Sequence, residues 1–190
     1  MLLGAGAIVA VVVIGLTQAG GSDGPGRSGG RFDLATAQQD LAGAPAPLAA
    51  LHDQSNELLD GGAPAFEARL RELRGHPVVI NKWASWCGPC RAELPLFQRV
   101  STTRGKEIAF VGVNARDKRP AAERFAATFP VPYPSYEDPS ERIARKLKAP
   151  SNFPVTLFVD ESGKIVFTHQ GGYRSAAGLS ADIDEHLGGS

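Results

Sequence analysis

One stretch of eight residues constrains this chain more than any other: Trp83-Ala84-Ser85-Trp86-Cys87-Gly88-Pro89-Cys90. It follows an apolar run, residues 77–83, that reads as a buried strand. It precedes a segment with helical character over residues 88–104. A helix N-terminus presents free backbone N–H groups and the positive end of the helix dipole, so an anion placed there is stabilised. Cys87 is therefore expected to have a lowered pKa and to be a ready nucleophile at neutral pH. Cys90 comes one helical turn later, close enough for the two sulfurs to close a disulfide. Pro89 falls in the first turn, where its missing N–H costs nothing. The arrangement implies attack by Cys87 on a disulfide, a mixed disulfide, and then displacement by Cys90 to close the Cys87–Cys90 bond.

These are the only two cysteines, which excludes a disulfide-dense scaffold and a four-cysteine zinc site. A bridge that closes a two-residue loop removes little entropy from the unfolded chain, so it would be a poor staple. A half zinc site would need two more ligands, and His52, His76, His169 and His186 show no paired spacing. No metal and no cofactor is expected. Lys plus Arg number 20 and Asp plus Glu number 20. A net charge of zero argues against a nucleic-acid partner, which would call for a basic excess. Residues are 43% apolar and 21% charged over a length of 190, which fits one folded domain and rules out a wholly disordered chain.

The N-terminus reads differently. Residues 2–16 form an uncharged apolar run, and Thr17-Gln18-Ala19 offers a small-residue cleavage site. Residues 1–19 are therefore expected to be a signal peptide or a membrane anchor, the run being marginal in length for a transmembrane helix. A buried core helix is the competing reading. No Lys or Arg precedes Arg27, so the usual positive flank is missing, which fits a start codon upstream of Met1. Residues 20–31 hold six glycines between 20 and 30 and read as a flexible linker. The domain proper is expected over residues 32–190, exported or held on the outer face of a membrane.

Along that domain, residues 32–41 are weakly helical, 42–47 extended, and 48–62 irregular or hairpin-like, closed by Asp60-Gly61-Gly62. Phe66, Leu70 and Leu73 share a helical face that Gly75 ends. A second buried strand spans 107–113. Ala122, Phe125, Ala126 and Phe129 form a helical stripe opened by Pro120. A short strand follows near 134–136. Asp138-Pro139-Ser140-Glu141 is a capping signature, with Pro139 at the first position of a helix bearing Ile143 and Leu147. Residues 154–160 and 164–169 read as strands joined by a hairpin. Leu179, Ile183 and Leu187 mark a final helix. The alternation predicts an α/β domain with a central mixed sheet covered by helices on both faces.

The WCGPC motif after a Val-Val-Ile-Asn-Lys-Trp strand resembles the thioredoxin fold. WASWCGPCRAELP resembles the TlpA/ResA-like branch of exported, often membrane-anchored thiol-disulfide oxidoreductases, and the likeness spans residues 44–187. FPVTLFVD and GKIVFTHQGG match later strands of that branch. Residues 116–149 resemble its extra helix-strand insertion. The resemblance implies a cis bond between Phe153 and Pro154, beside the cysteines, with the Phe153 backbone pairing to a bound peptide. It implies that Glu93, three positions after Cys90, can exchange a proton with it from a buried site of raised pKa. An exposed helix glutamate is the alternative reading. Pro95 matches a helix-kinking proline, and Asn81 stands where minimal thioredoxins carry a buried acid. Cys87, Cys90 and Glu93 are thus the candidate catalytic residues. Trp86, Gly88, Pro89, Phe153 and Pro154 are the candidate substrate-binding residues.

Lys82 departs from the branch, which usually has an apolar residue there. It should face away from Asn81 by strand alternation. Phe153 is bulkier than many relatives carry, and Trp83 is expected in the core. The resemblance implies reduction of protein disulfides, apocytochrome c among them, with electrons from a membrane thiol donor of the CcdA/DsbD type. An oxidase or isomerase of the same fold is the nearest rival, because the surroundings of Cys87 decide the direction. A thiol peroxidase fits less well, since Ala84-Ser85-Trp86 lacks its motif. A copper-delivering protein would favour a CxxxC with a distant histidine.

Overall fold

The computed structural model describes residues 31–188. Its elements run α1 (Leu34–Asp40), α2 (Ala46–His52), β1 (Leu58–Leu59), α3 (Gly62–Glu72), β2 (Val78–Trp83), α4 (Gly88–Arg104), β3 (Ala109–Ala115), α5 (Arg119–Thr128), β4 (Ser135–Asp138), α6 (Arg142–Lys146), β5 (Val155–Val159), β6 (Ile165–Gln170) and α7 (Ala176–Leu187). Six strands form one sheet in the order β1-β4-β3-β2-β5-β6. β2 and β3 are parallel, as are β3 and β4, whereas β5 runs antiparallel to both β2 and β6.

The two faces of the sheet bury two separate cores. Val79, Phe110 and Phe158 pack with Phe97 of α4, Phe125 of α5 and Ile183 of α7 on one face. Val78, Ile80, Val111 and Leu157 pack with Leu48 of α2, Phe66 of α3 and Ile143 of α6 on the other. All six residues of β2 are buried, as a central strand covered on both sides requires. Successive side chains point to opposite faces, so Asn81 continues the Val79 side and Lys82 the Ile80 side. The mixed sheet read from the sequence is the one observed.

Two segments differ in kind from the sequence reading. Residues 48–62 form no hairpin and are irregular only in part: the Ala-Pro-Leu-Ala-Ala-Leu-His stretch, which begins inside the segment expected to be extended, is the helix α2, begun by Pro45 and burying Leu48 and Leu51. Leu58–Leu59 then adds a short parallel strand beside β4. The capping signature at 138–141 also works differently. Pro139 and Ser140 form a turn, Glu141 takes a left-handed conformation at φ +53°, and the helix begins at Arg142. The Asp138 carboxylate reaches over that turn and accepts from the Ile143 and Ala144 N–H groups at 3.1 and 2.9 Å. The cap is real, but the proline lies outside the helix.

The expected leader and linker lie outside the described residues. Among the described residues, no helix is long and apolar enough to cross a membrane.

Candidate active site

β2 ends at Trp83, and the chain turns through Ala84-Ser85-Trp86 into α4. Cys87 is the N-cap of that helix, and its sulfur accepts from the Cys90 N–H at 3.1 Å. Cys87 and Cys90 are joined in a disulfide. Both cysteines are buried, while Gly88, Pro89 and Trp86 beside them are exposed. The bond is thus reached across a small rim rather than down a deep cavity. A cleft of about 320 Å³ lined by Arg74, His76, Val78 and Gly163 opens at the other end of β2, away from the sulfurs.

The Phe153–Pro154 bond is cis, as the resemblance implied. The Phe153 ring meets the Trp86 ring edge-on, with centroids 5.0 Å apart. These two aromatics form one rim of the site. Gly172 approaches the other side: a Cβ there would lie 3.5 Å from the Pro89 carbonyl.

Beneath the disulfide, Glu93 is fully buried. Its Oε1 accepts from the Asn81 side-chain amide at 2.9 Å and its Oε2 from the Tyr173 N–H at 3.1 Å. Burial pushes its pKa up to about 7, and the two hydrogen bonds only partly offset that. The exposed-glutamate reading is therefore excluded. The carboxyl can take or give a proton at neutral pH, one helical turn from Cys90. Asn81 Oδ1 and Thr156 Oγ1, buried side by side on paired strands, have no hydrogen-bond partner among the described residues. An amide offers both a donor and an acceptor end, so Asn81 can serve Glu93 in either protonation state.

Lys82 does face away from Asn81. Its side chain is buried in the opposite core, where Nζ donates to the Pro150 carbonyl. Burial lowers its pKa, which the Glu141 carboxylate counteracts. Trp83 is a core residue stacked on Phe125, with its indole N–H bonded to Ser135 Oγ at 3.0 Å. Pro95 lies within α4, and Arg91 is exposed on its surface.

The sequence reading missed the loop after β3. The Asp117 carboxylate accepts from the Ser85 N–H and hydroxyl and from Asn114 Nδ2, fastening that loop to the approach to Cys87. Burial opposes its charge, yet the donors hold its pKa below the usual carboxylate range. Trp86 Nε1 donates to the Arg116 carbonyl at 2.9 Å. The available signal was position: polar residues at the carboxyl end of a central parallel strand are where α/β sheets place their sites. Tyr173 was missed as well. Its ring stacks on His169 at 4.0 Å, and its hydroxyl donates to Asp182.

Among the described residues, no group of three or more His, Cys, Asp or Glu side chains could hold a metal ion. What the arrangement can do chemically is thiol–disulfide exchange at Cys87 and Cys90.

Comparison with known proteins agrees. The family model described as Redoxin matches residues 41–183. The chain is 32% identical to the thiol:disulfide interchange protein HelX of Rhodobacter capsulatus, over 79% of each. It is 27% identical to the thiol-disulfide oxidoreductase ResA of Geobacillus kaustophilus, over 52% of this chain. The chain spans 57 to 62% of the length of the first curated relatives it matches. Among solved structures, a secreted thiol-disulfide isomerase from Corynebacterium glutamicum superposes with a TM-score of 0.55 at 25% identity, over 63% of this chain and 73% of that one.

Proposed function

Because the chain belongs to the redoxin family, and carries its disulfide at a strand-to-helix turn, we propose that it reduces protein disulfides outside the cytoplasm. Its mixed sheet, covered on both faces, is the thioredoxin fold. The observation that carries the proposal is Cys87 at the cap of α4, bonded to Cys90, with Glu93 buried below.

In the reduced protein the Cys87 thiolate, stabilised by the helix N-terminus, attacks one sulfur of a client disulfide. The other client sulfur leaves as a thiolate and takes a proton. Cys90 then gives its proton to the Glu93 carboxylate and attacks the Cys87 sulfur of the mixed disulfide. The second client thiolate leaves. The client has gained two electrons, and Cys87 and Cys90 are left as the disulfide described above. A membrane thiol donor of the CcdA/DsbD type would restore the dithiol. Apocytochrome c is the client class that the resemblance suggests, and residues 1–19 would serve as export signal or anchor. The location also draws support from the relative named as secreted.

The reduction potential of the pair tests the direction, read by tryptophan fluorescence of the full chain in a thiol redox buffer, since Trp83 and Trp86 flank the cysteines. A value near or below about −250 mV, the thioredoxin region, is expected. A value between about −120 and −180 mV would overturn the reductase reading in favour of an oxidase or isomerase.

A further inference from the structure

Five residues close a ring that includes the aromatic rim, one of its links running through a backbone carbonyl. The Lys82 ammonium lies 4.2 Å from the centroid of the Phe153 ring. Phe153 meets Trp86 at 5.0 Å, and Trp86 Nε1 donates to the Arg116 carbonyl at 2.9 Å. The Arg116 guanidinium stands 4.0 Å from one Glu141 oxygen, and the other Glu141 oxygen stands 3.9 Å from Lys82 Nζ. The ring draws on β2, the turn into α4, the loop after β3, the turn after β4 and the loop before β5. Arg116 and Glu141 both hold left-handed backbone, at φ +52° and +53°. Residues with a side chain rarely adopt that conformation, and such strain gathers at functional sites.

Lys82 is 1% exposed. For filling space alone, an apolar side chain would avoid the cost of desolvating a charge. What only the cation supplies is a directed hold on three groups: the Pro150 carbonyl, the Glu141 carboxylate and the face of Phe153. A cation–π contact is strongest when the cation is desolvated, as here. Trp86 is 56% exposed, the larger of the two big apolar side chains left open on the described surface. An aromatic held rigid at a surface gives contact area at low entropic cost.

We propose that Lys82 and Glu141 are positioning residues that hold Trp86 and Phe153 as a preformed apolar platform, which selects client disulfides flanked by an apolar side chain. This rests on the reading of the chain as a thiol–disulfide exchange protein. Lys82 touches neither cysteine nor client. It acts through Phe153.

The test uses the full chain, reduced beforehand, in single turnovers with two disulfide peptides of equal charge. One carries leucine beside its cysteine and the other serine. Lys82→Met and Glu141→Gln are each expected to raise the half-saturating concentration of the leucine peptide about tenfold, the scale of one desolvated cation–π contact. The limiting rate should change less than twofold, the serine peptide should be little affected, and Lys82→Arg should restore part of the preference. Equal losses for both peptides, a loss carried by the limiting rate, or no loss would overturn the proposal. If Lys82→Met does not fold, Glu141→Gln decides by the same criteria, since that residue is partly exposed and the change keeps its shape. Wild-type protein that reduces neither peptide would instead overturn the exchange reading itself.

Discussion

Asn81 and Lys82 are adjacent on β2, both polar and each only 1% exposed, and they face opposite layers of the protein. On the Asn81 side the buried acid has neutral partners: an amide and one backbone N–H. Burial dominates there, so the Glu93 carboxyl rests near the midpoint of its titration at neutral pH. On the Lys82 side the buried base has a carboxylate and a carbonyl in reach and an aromatic face above it. The difference shows two uses of a buried polar group. A group with neutral partners can change its protonation near neutral pH, which is what the proposed proton exchange with Cys90 requires. At Lys82 burial also lowers the pKa, but the Glu141 carboxylate counteracts it, and the role proposed for that group is to fix geometry.

The sharpest way to break that division is to remove the chemistry from the Asn81 side alone. Cys87→Ser should abolish exchange with any disulfide, measured by stopped-flow fluorescence, while Trp86 and Phe153 keep their contact. Residual exchange through Cys90 would contradict the assigned order of attack. Next in size is the stability held on the other side. Lys82→Ala leaves a cavity beside Phe153 and the Pro150 carbonyl without its donor, and should cost about 3 kcal/mol in urea unfolding. Lys82→Met should recover only the part of that loss that comes from the cavity, because it refills the volume while the Pro150 carbonyl stays without its donor.

The Asn81 side has its own signature in pH. In the unfolded chain Glu93 titrates near 4.5, and in the folded oxidised protein near 7. Between those values the folded state holds a proton that the unfolded state has lost. The contribution of Glu93 to stability is therefore complete below pH 4.5 and is lost as pH rises through 7, by roughly 3 kcal/mol. Glu93→Gln should flatten that slope in unfolding curves taken from pH 4.5 to 8. The smallest effect concerns the turn that presents Glu141. Asp138→Ala removes the side-chain cap of α6 and should cost about 1 kcal/mol.

The Asn81 side was the more legible of the two in the sequence. The CxxC between strand and helix is a local pattern that carries its physical reason with it, whereas the roles of Glu93 and Pro154 follow from the resemblance and not from their spacing alone. The Lys82 side was half legible. Strand alternation gave its direction, but its ring joins residues from positions 82 to 153, a proximity that only the folded chain creates. Asp-Pro-Ser-Glu usually opens a helix, so the sequence points to Glu141 as part of a cap. Its left-handed backbone arises where Asp138 both ends β4 and caps α6. The α2 and β1 segment failed for another reason. Seven helical residues are too few to display a period, and a two-residue strand exists only because β4 lies beside it.

The division between the two sides is tested most directly by titrating the Glu93 carboxyl by carbon NMR in the oxidised full chain, for wild type and for Lys82→Met. A midpoint near 7 in both proteins is predicted. A midpoint near the ordinary 4.5, or one that shifts by a full unit when Lys82 is replaced, would contradict the account.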